Sequence, residues 1–425
     1  MTALLQRLRL PGDGATWRKY GVLMTLMMAH DLPNTLTGVM VPTVFTRRLD
    51  MPLEYLGLFT LPLLVTACKW TWAPLVDNHG SIRFGWRKSW LAPCALGVAL
   101  CLAAVGLVRP SLEALALIVG LLMLKQLFYS TFEIAGDAYI VENLKPEERG
   151  LGSSLIWLGR EFGQLIGFAG LLYVTDRFGW RPAFFCAAGL FLLFCLPVLL
   201  RREPARSADH RASVRPVTRL RAFFSRSTNW WVLAVVFCVS FTVQMPVAVI
   251  GPFLGSKGLS LSQIGIVIGI SASLGAVLSL ALAAPVIARI GPKRMAKVML
   301  VVAPMALPGF LYLAHVEAVT TPVVMGIIFF SALCTAPIRM VVYAARIGWA
   351  SEGQVGTDFT VQQSTWFLGF AAAGGASGLL AAQIGWFGFF LVNFVLTVLA
   401  IAFFILMHDP IEQRLKPASD VPKAR

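Results

Sequence analysis

Charged residues are scarce in this sequence, and their scarcity excludes most soluble folds. Asp, Glu, Lys and Arg make up 13% of the 425 residues, whereas 57% are hydrophobic. Soluble domains are about a quarter charged, and no polar segment here is long enough to build one. The hydrophobic residues fall into long runs, and about 20 apolar residues cross a bilayer as a helix. The composition therefore predicts about twelve membrane helices joined by short loops.

The sequence also lacks the motifs of common enzymes and cofactor sites. It contains no HExxH, GxxxxGK[ST] or GxSxG motif and no strand-linked GxGxxG unit. A membrane enzyme would need a nucleophile–base pair or a metal set, and a sensor would need a soluble signalling domain; the sequence shows neither. We therefore expect no catalytic residues, no cofactor and no resident metal. Transport, if that is the function, must draw on an ion gradient because no ATP-binding motif is present.

Disulfide and signal-peptide patterns are missing as well. All seven cysteines lie in apolar runs without a CxxC pair, which is typical of small buried hydrophobes and not of disulfides or metal ligands. The first 20 residues lack the apolar stretch and cleavage site of a signal peptide. We expect the first span to be retained as a helix.

Apolar runs, separated by charged residues, glycine and proline, predict twelve spans. The predicted spans lie near 20–45, 53–76, 90–108, 112–142, 150–173, 182–200, 230–254, 262–287, 297–315, 321–346, 358–381 and 385–408. The predicted organisation is an N-terminal six-helix half (1–200), a basic cytoplasmic linker (201–229), a C-terminal six-helix half (230–410) and a cytoplasmic tail (411–425).

Short matches between the two halves indicate an internal repeat. Ala73-Pro74 ends span 2 and Ala284-Pro285 ends span 8, and each is followed by a basic turn. Gly179-Trp180 and Gly385-Trp386 open spans 6 and 12 at an offset of 206 residues. The fold class predicted is therefore an all-α integral membrane protein with a 6+6 pseudo-repeat. This architecture is similar to the major facilitator fold, in which two parallel halves rock about a midplane site.

The basic residues predict the orientation of the chain. The net charge is +15, and 26 of the 36 Lys and Arg residues fall on one side of the predicted spans against 6 on the other. Cytoplasmic loops are rich in Lys and Arg, so both termini are predicted to be cytoplasmic in a multi-pass protein of a bacterial inner membrane. The excess charge then reflects orientation next to an anionic leaflet, and nucleic acid is not an expected partner.

Eight ionisable side chains lie inside the predicted spans, and seven of them belong to the N-terminal half. Such residues are costly in a membrane and face a cavity or one another. Four are acids and four are cations, which predicts that many are paired. They are Asp31, Lys69, Lys125, Glu133, Asp137, Arg160, Glu161 and Arg339.

Span 4 carries Lys125, Tyr129, Glu133 and Asp137 at intervals of four residues, which places them on one helix face. Two interpretations stay open: a proton or substrate relay, and a structural ladder of ion pairs. On the first interpretation Glu133 or Asp137 carries the proton. The further candidates for proton coupling are Asp31 and Glu161.

The predicted substrate-binding residues combine cations with aromatic rings. Arg160 can grip an anion with two parallel hydrogen bonds, and Arg339 is expected to meet an acid or the substrate itself. The aromatic candidates can equally be ordinary bundle residues. The complete set is Lys69, Lys125, Tyr129, Trp157, Arg160, Arg339 and Trp366. In span 1, Pro33 breaks the apolar run, which marks either a transport site or a packing kink.

Three segments resemble the AmpG-like branch of the major facilitator superfamily. The first runs from Lys69 to Asp77 (KWTWAPLVD) and continues at 85–91 (GWRKSWL). The second comprises 137–138, 144–150 (LKPEERG) and 159–160, and the third is 31–37 (DLPNTLT). The resemblance covers about residues 30–180, and the C-terminal half matches only generically.

This resemblance implies a secondary transporter and a set of gating residues. Asp77, Arg87 and Lys88 match the acid and cations that link the halves of such carriers, and Arg149 lies in the second matching segment. The branch includes anhydromuropeptide permeases, which are longer, and siderophore permeases of the RhtX/FptX type. The implied function is proton-coupled import of a ferric pyochelin-type siderophore by a monomer. The alternatives are an anhydromuropeptide, or another small organic anion or drug.

Overall fold

The structure is a computed structural model that describes residues 14–81, 83–144, 158–201, 203, 220–221, 223–317, 319–349 and 355–415. The described residues form helices and short connections, with no β-strand apart from one isolated bridge between Ser81 and Gly85. Trp157 and Arg149, proposed above for substrate binding and gating, lie outside the described residues.

Eight described helices are long and apolar enough to cross a membrane. They are Lys88–Leu107, Leu115–Ile140, Trp180–Leu200, Ser227–Ser256, Leu261–Ile287, Arg289–His315, Thr321–Gly348 and Asp358–Leu415. The last contains two spans, because Gly385 has a φ of 67° and interrupts the helix there. These segments are spans 3, 4 and 6–12 of the predicted order.

Spans 1, 2 and 5 are interrupted among the described residues, although span 1 includes the 22-residue α-helix Gly14–Thr35. Span 1 consists of Gly14–Thr35, a π-turn at Leu36–Met40 and Val41–Arg48. Span 2 consists of a 3₁₀ segment Leu53–Thr60, Pro62–Ala67, a 3₁₀ turn Lys69–Thr71 and Ala73–Asn78. Span 5 consists of helical residues 158–165, a π-turn at Ile166–Leu171 and Leu172–Phe178.

Five further spans have bounds that differ from the windows given above. Span 4 is Leu115–Asn143. Span 8 begins with Leu261–Ile266 and a π-turn at Val267–Ala272 and continues into the helix Ser273–Val302, whose kink at Gly291 separates span 8 from span 9. Span 9 continues through the 3₁₀ turn Ala303–Ala306 into Leu307–His315. Spans 11 and 12 form the kinked element Val355–Leu415.

Pro33 explains why span 1 is irregular. Proline has no N–H to donate and its ring crowds the preceding turn, so it disturbs the interior of a helix. The side chains of Thr35 and Thr37 donate to the carbonyl oxygens of Leu32 and Pro33, each at 2.9 Å. These bonds satisfy backbone acceptors beside the proline, and the π-turn follows directly.

Contacts divide the chain into two compact units. The first unit is Met1–Thr37 with Trp72–Arg211, and the second is Gly38–Thr71 with Ala212–Arg425. This grouping differs from the chain-order halves predicted above, because residues 38–71 join the C-terminal residues. Within the second unit, the Thr60 hydroxyl donates to the Ala371 carbonyl at 3.1 Å.

Span 5 packs closely against span 1 in the first unit through a row of glycines. Gly159 and Gly163 lie so near the carbonyl oxygens of Met24 and Met28 that an added Cβ would clash with them. Gly167 is equally tight against Thr35. Small residues let two membrane helices approach at backbone distance, so the glycine spacing sets the separation between these two spans.

The close approach predicts that Gly163→Ala destabilises the protein. The new methyl group must push against the Met28 backbone, and overpacking costs about 1–3 kcal/mol. Gly120→Ala in span 4 is the matched control, because nothing lies within 4 Å of its added Cβ and alanine favours the helix. Thermal unfolding in detergent should show a lower Tm for Gly163→Ala and an unchanged or higher Tm for Gly120→Ala. An unchanged Tm for Gly163→Ala would contradict the close packing.

Candidate functional site

A buried polar cluster lies in the first unit, between spans 1, 4 and 5. Its centre is an ion pair: Arg160 Nε donates to Asp31 Oδ2 at 2.8 Å, and Nη2 donates to Oδ1 at 3.0 Å. The two side chains are 29% and 14% exposed. The glycines on either side of Arg160 bring span 5 close enough to span 1 for this bidentate geometry. Such charge-assisted pairs are the stronger class of hydrogen bond.

His30 connects this ion pair to span 4. Its Nδ1 lies 3.5 Å from Asp31 Oδ1 and 3.0 Å from the Tyr129 hydroxyl, which also donates to the His30 carbonyl. On the other side of the ring, Nε2 lies 3.3 Å from Glu133 Oε1. His30 and Glu133 are 2% and 5% exposed. The imidazole therefore bridges two carboxylates, which is a geometry that can accept and pass a proton.

Lys125 forms a separate part of the cluster, one turn before Tyr129. Its Nζ donates to Asn34 Oδ1 at 3.0 Å and lies 3.4 Å from the Thr37 hydroxyl. It also lies 5.6 Å from the centre of the Tyr129 ring, and its residue is 1% exposed. Among the described residues its polar partners are thus neutral, and no carboxylate is within ion-pair distance.

The polar stripe of span 4 thus faces span 1 over most of its length. Lys125, Tyr129 and Glu133 contact Asn34 and His30, as a common helix face requires. Asp137, the fourth member, is exposed. The ligand atoms of Asp137, Glu133 and His30 all lie within 4.8 Å of one another. This group has the composition to hold a cation, as well as to relay a proton.

The remaining site residues predicted from the sequence have no contact with His30 or Glu133 among those described above. Glu161 is partly buried beside Arg160. In the second unit, Arg339 Nη2 donates to Gln244 Oε1 at 3.2 Å, and Lys69 Nζ lies 5.4 Å from the Phe367 ring centre. Trp366 packs against a hydrophobic core cluster of that unit. Arg160 was also predicted to bind an anionic substrate. In the structure its guanidinium already donates to both carboxylate oxygens of Asp31, so a substrate would have to compete with Asp31.

The predicted gating residues form a second charged cluster in the first unit. Arg87 Nη1 lies 2.7 Å from Asp77 Oδ1, and Nη2 lies 2.8 Å from Glu142 Oε1. Lys88 Nζ donates to the Leu199 carbonyl at 3.1 Å. Burial alone would lower the pKa of the Arg87 guanidinium, but Glu142 and Asp77 outweigh it, so the pKa lies above its usual value.

Glu203 completes this second cluster from the far end of span 6. Its carboxylate accepts the backbone N–H of Arg87 at 3.0 Å and that of Lys88 at 3.3 Å. These N–H groups open span 3, where a helix has unsatisfied donors and favours negative charge. Glu203 therefore caps span 3 and ties it to the end of span 6.

Four members of these clusters are not among the site residues predicted from the sequence: His30, Asn34, Glu142 and Glu203. The nearest signal for His30 and Asn34 was their position next to Asp31 and Pro33 in the broken part of span 1. Glu142 and Glu203 meet Arg87 across 55 and 116 residues of chain. No local pattern reveals contacts of that separation.

The ion pair predicts an asymmetric response to neutralisation. Asp31→Asn leaves the partly buried Arg160 without this carboxylate, and breaking such a pair costs up to about 3 kcal/mol. Arg160→Gln in the same chain removes the uncompensated charge, so the double variant should regain much of the lost stability. Thermal unfolding of both single variants and the double variant measures this coupling. Additive losses of stability would show that the two side chains do not interact.

Comparisons with known proteins show which family this chain belongs to. The family model described as Major Facilitator Superfamily matches residues 23–330 and 282–424. The anhydromuropeptide permease of Escherichia coli K12 is 26% identical over 270 residues, which are 60% of this chain and 53% of that protein. The chain thus spans about half the length of that relative. A Rickettsia conorii transporter of the AmpG designation is 25% identical over 86% of this chain and 90% of its own.

Solved structures show the same fold at low sequence identity. A bacterial homologue of the human lysosomal transporter Spinster, crystallised in an inward-facing and unoccupied conformation, has a TM-score of 0.73, with 14% identity. It covers 96% of this chain and 100% of that one. The nucleoside transporter NupG has a TM-score of 0.70 over 92% and 98% of the two chains, with 14% identity. These likenesses confirm the predicted twelve-helix fold class and agree with the absence of enzyme motifs. The chain belongs to the Major Facilitator Superfamily and is a multi-pass membrane protein.

Proposed function

We propose that this transporter imports a muropeptide-type solute across a bacterial inner membrane in symport with protons. The observation that carries the proposal is the buried cluster around His30, which joins two carboxylates within spans whose surroundings are apolar. Ionisable groups at such positions are expensive and mark ion or substrate pathways. The E. coli relative is named for anhydromuropeptide transport, and none of the relatives given above is a siderophore permease. An anhydromuropeptide, the alternative substrate predicted from the sequence, is therefore better supported than a siderophore.

Within the cluster the geometry separates a fixed charge from a mobile proton. Asp31 is held by the bidentate guanidinium of Arg160, which stabilises its ionised form. Glu133 instead faces the Nε2 atom of His30, which can donate or accept a proton. We therefore assign the proton step to Glu133 and His30, while Asp31 and Arg160 hold spans 1 and 5 together.

Lys125 is the proposed contact for the solute in this unit. A muropeptide includes a peptide, so it carries at least one carboxylate. Lys125 is buried and its described partners are neutral, so an incoming carboxylate would supply the missing opposite charge. The Tyr129 ring beside it offers an apolar face for the solute.

The proton assignment predicts a specific defect for Glu133→Gln. In proteoliposomes, gradient-driven accumulation of labelled anhydromuropeptide should fall at least tenfold, because the amide cannot release a proton. Exchange of labelled for unlabelled solute should stay within about threefold of the natural protein, since exchange needs no net proton movement. Glu113→Gln, which neutralises an exposed acid, is the matched control.

Labelled ferric siderophore, tested in parallel, separates the substrate from the mechanism. Uptake of siderophore without muropeptide would contradict the proposed substrate. Full gradient-driven uptake by Glu133→Gln at every pH would instead contradict the proton role of that residue.

The second cluster predicts a kinetic defect for Asp77→Asn. We propose that Asp77, Arg87 and Lys88 act as a gate, as the family resemblance implies. The Asp77 side chain is 53% exposed, and exposed ion pairs stabilise proteins by about 0–1 kcal/mol. Arg87 also keeps Glu142. Asp77→Asn should therefore lower the turnover rate severalfold while membrane expression and Tm stay near those of the natural protein. Unchanged uptake kinetics would exclude a gating role for Asp77.

A further inference from the structure

A buried arginine in the second unit lies outside every site described so far. Arg346 is in the last turn of span 10, Thr321–Gly348, and its residue is 3% exposed. A guanidinium stays protonated in proteins, so its burial places a permanent positive charge in the protein interior.

The partners of Arg346 are all neutral. Nε lies 3.4 Å from Gln362 Oε1, and Nη2 donates to Gln363 Oε1 at 2.9 Å and lies 3.4 Å from the Phe359 carbonyl. The face of the Phe359 ring lies 4.5 Å from the guanidinium carbon. Within the described part of the chain, no carboxylate reaches Arg346, and its Nη1 forms no hydrogen bond.

These neutral partners orient the guanidinium but do not balance its charge. The carbonyl groups at the end of a helix favour a cation, but they do so weakly. Stacking on the aromatic ring adds a second weak attraction. Neither matches the cost of removing an ion from water, and buried charges in proteins are paired as a rule. Among the described residues, no contact therefore balances the charge of Arg346.

We infer that Arg346, with Gln362 and Gln363, is a binding site for an oxyanion, either a carboxylate or a phosphate group. The planar fork of arginine matches both groups with two parallel hydrogen bonds. A glutamine side chain also has two amide donors, so each one that accepts from Arg346 can donate to the same anion. The site is separate from the cluster around Lys125 and does not depend on the proposed substrate.

The predicted orientation places this end of span 10 on the cytoplasmic side. An anion could therefore come from a free solute in the cytoplasm, from the transported solute on release, or from a lipid headgroup at that surface. All three present the same carboxylate or phosphate oxygens. The experiment below distinguishes the soluble sources from the lipid.

The test measures thermal unfolding of the full-length protein in a neutral detergent with sodium phosphate or sodium acetate. Sodium chloride at equal ionic strength provides the baseline. A bound anion raises Tm in proportion to the logarithm of its concentration above Kd. We expect one of the two anions to raise Tm of the natural protein, and Arg346→Gln to abolish the shift.

Arg181→Gln is the matched control. Arg181 also lies over an aromatic ring, at 5.7 Å from Phe185, but it is exposed. This variant should keep the full anion response. Without added anion, Arg346→Gln should be at least as stable as the natural protein, because it removes an uncompensated buried charge. If Arg346→Gln does not fold, Arg346→Lys should keep the charge and lose affinity about tenfold, which is the loss of about one hydrogen bond to a charged group.

Three results would overturn the inference. The first is no shift with either anion in the natural protein. The second is an equal shift in Arg346→Gln, which would place the anion elsewhere on this basic chain. The third is a shift that appears only in Glu352→Gln, because an acid of the chain itself would then balance Arg346; Glu352 lies outside the described residues.

Lipid nanodiscs identify the source of the anion. In discs of phosphatidylcholine alone, a soluble anion should still raise Tm of the natural protein. If phosphatidylglycerol removes that response in the natural protein, while Arg346→Gln is insensitive to both lipids, the headgroup occupies the site. If the response persists in phosphatidylglycerol, the ligand is a soluble carboxylate or phosphate.

Discussion

The ion pair between Asp31 and Arg160 is the interaction on which the first unit's polar cluster depends. A charged side chain inside a membrane bundle must be compensated, and this pair meets the requirement with two short hydrogen bonds. It forms only because the glycines of span 5 let its backbone reach that of span 1. The same face of span 5 therefore carries both the glycines that allow close packing and the Arg160 side chain that compensates Asp31.

The ion pair between Asp31 and Arg160 also bears on the proposed proton exchange in the cluster. On the proposed function, Arg160 holds Asp31 as a fixed charge, and His30 and Glu133 are the groups that exchange a proton. Pro33 and the π-turn at Leu36–Met40 interrupt the regular hydrogen bonding of span 1 on the C-terminal side of His30. In the proposed mechanism Asp31 carries the fixed charge that holds spans 1 and 5 together. Its neighbour His30 is one of the two groups that exchange the proton.

Local patterns in the sequence predicted much of this arrangement. The four-residue spacing from Lys125 to Asp137 predicts a shared helix face, and three of the four side chains contact span 1. The interval of four residues between Gly159, Gly163 and Gly167 is typical of a close-packing helix face. In the structure this face packs against span 1. Both patterns depend only on helical periodicity, so neighbouring residues suffice to reveal them.

Contacts between distant segments could not be predicted from the sequence, because local patterns carry no information about which segments meet in the fold. Nothing near Arg160 in the chain indicates that Asp31, 129 residues earlier, fills its fork. Likewise the sequence left open whether Trp366 lines a cavity or is an ordinary bundle residue, and its neighbours in space form a hydrophobic core. Substrate choice is harder still, because motifs shared by a family report its fold and gating. The relatives then favoured the muropeptide over the siderophore.

The central claim, that this chain moves a muropeptide together with protons, is tested most directly by the proton itself. Proteoliposomes loaded with a pH-sensitive dye, at zero membrane potential and equal pH on both sides, receive unlabelled anhydromuropeptide outside. The account predicts acidification of the lumen that begins on addition of the solute and is absent with ferric siderophore. Accumulation of the muropeptide with no accompanying acidification would contradict it.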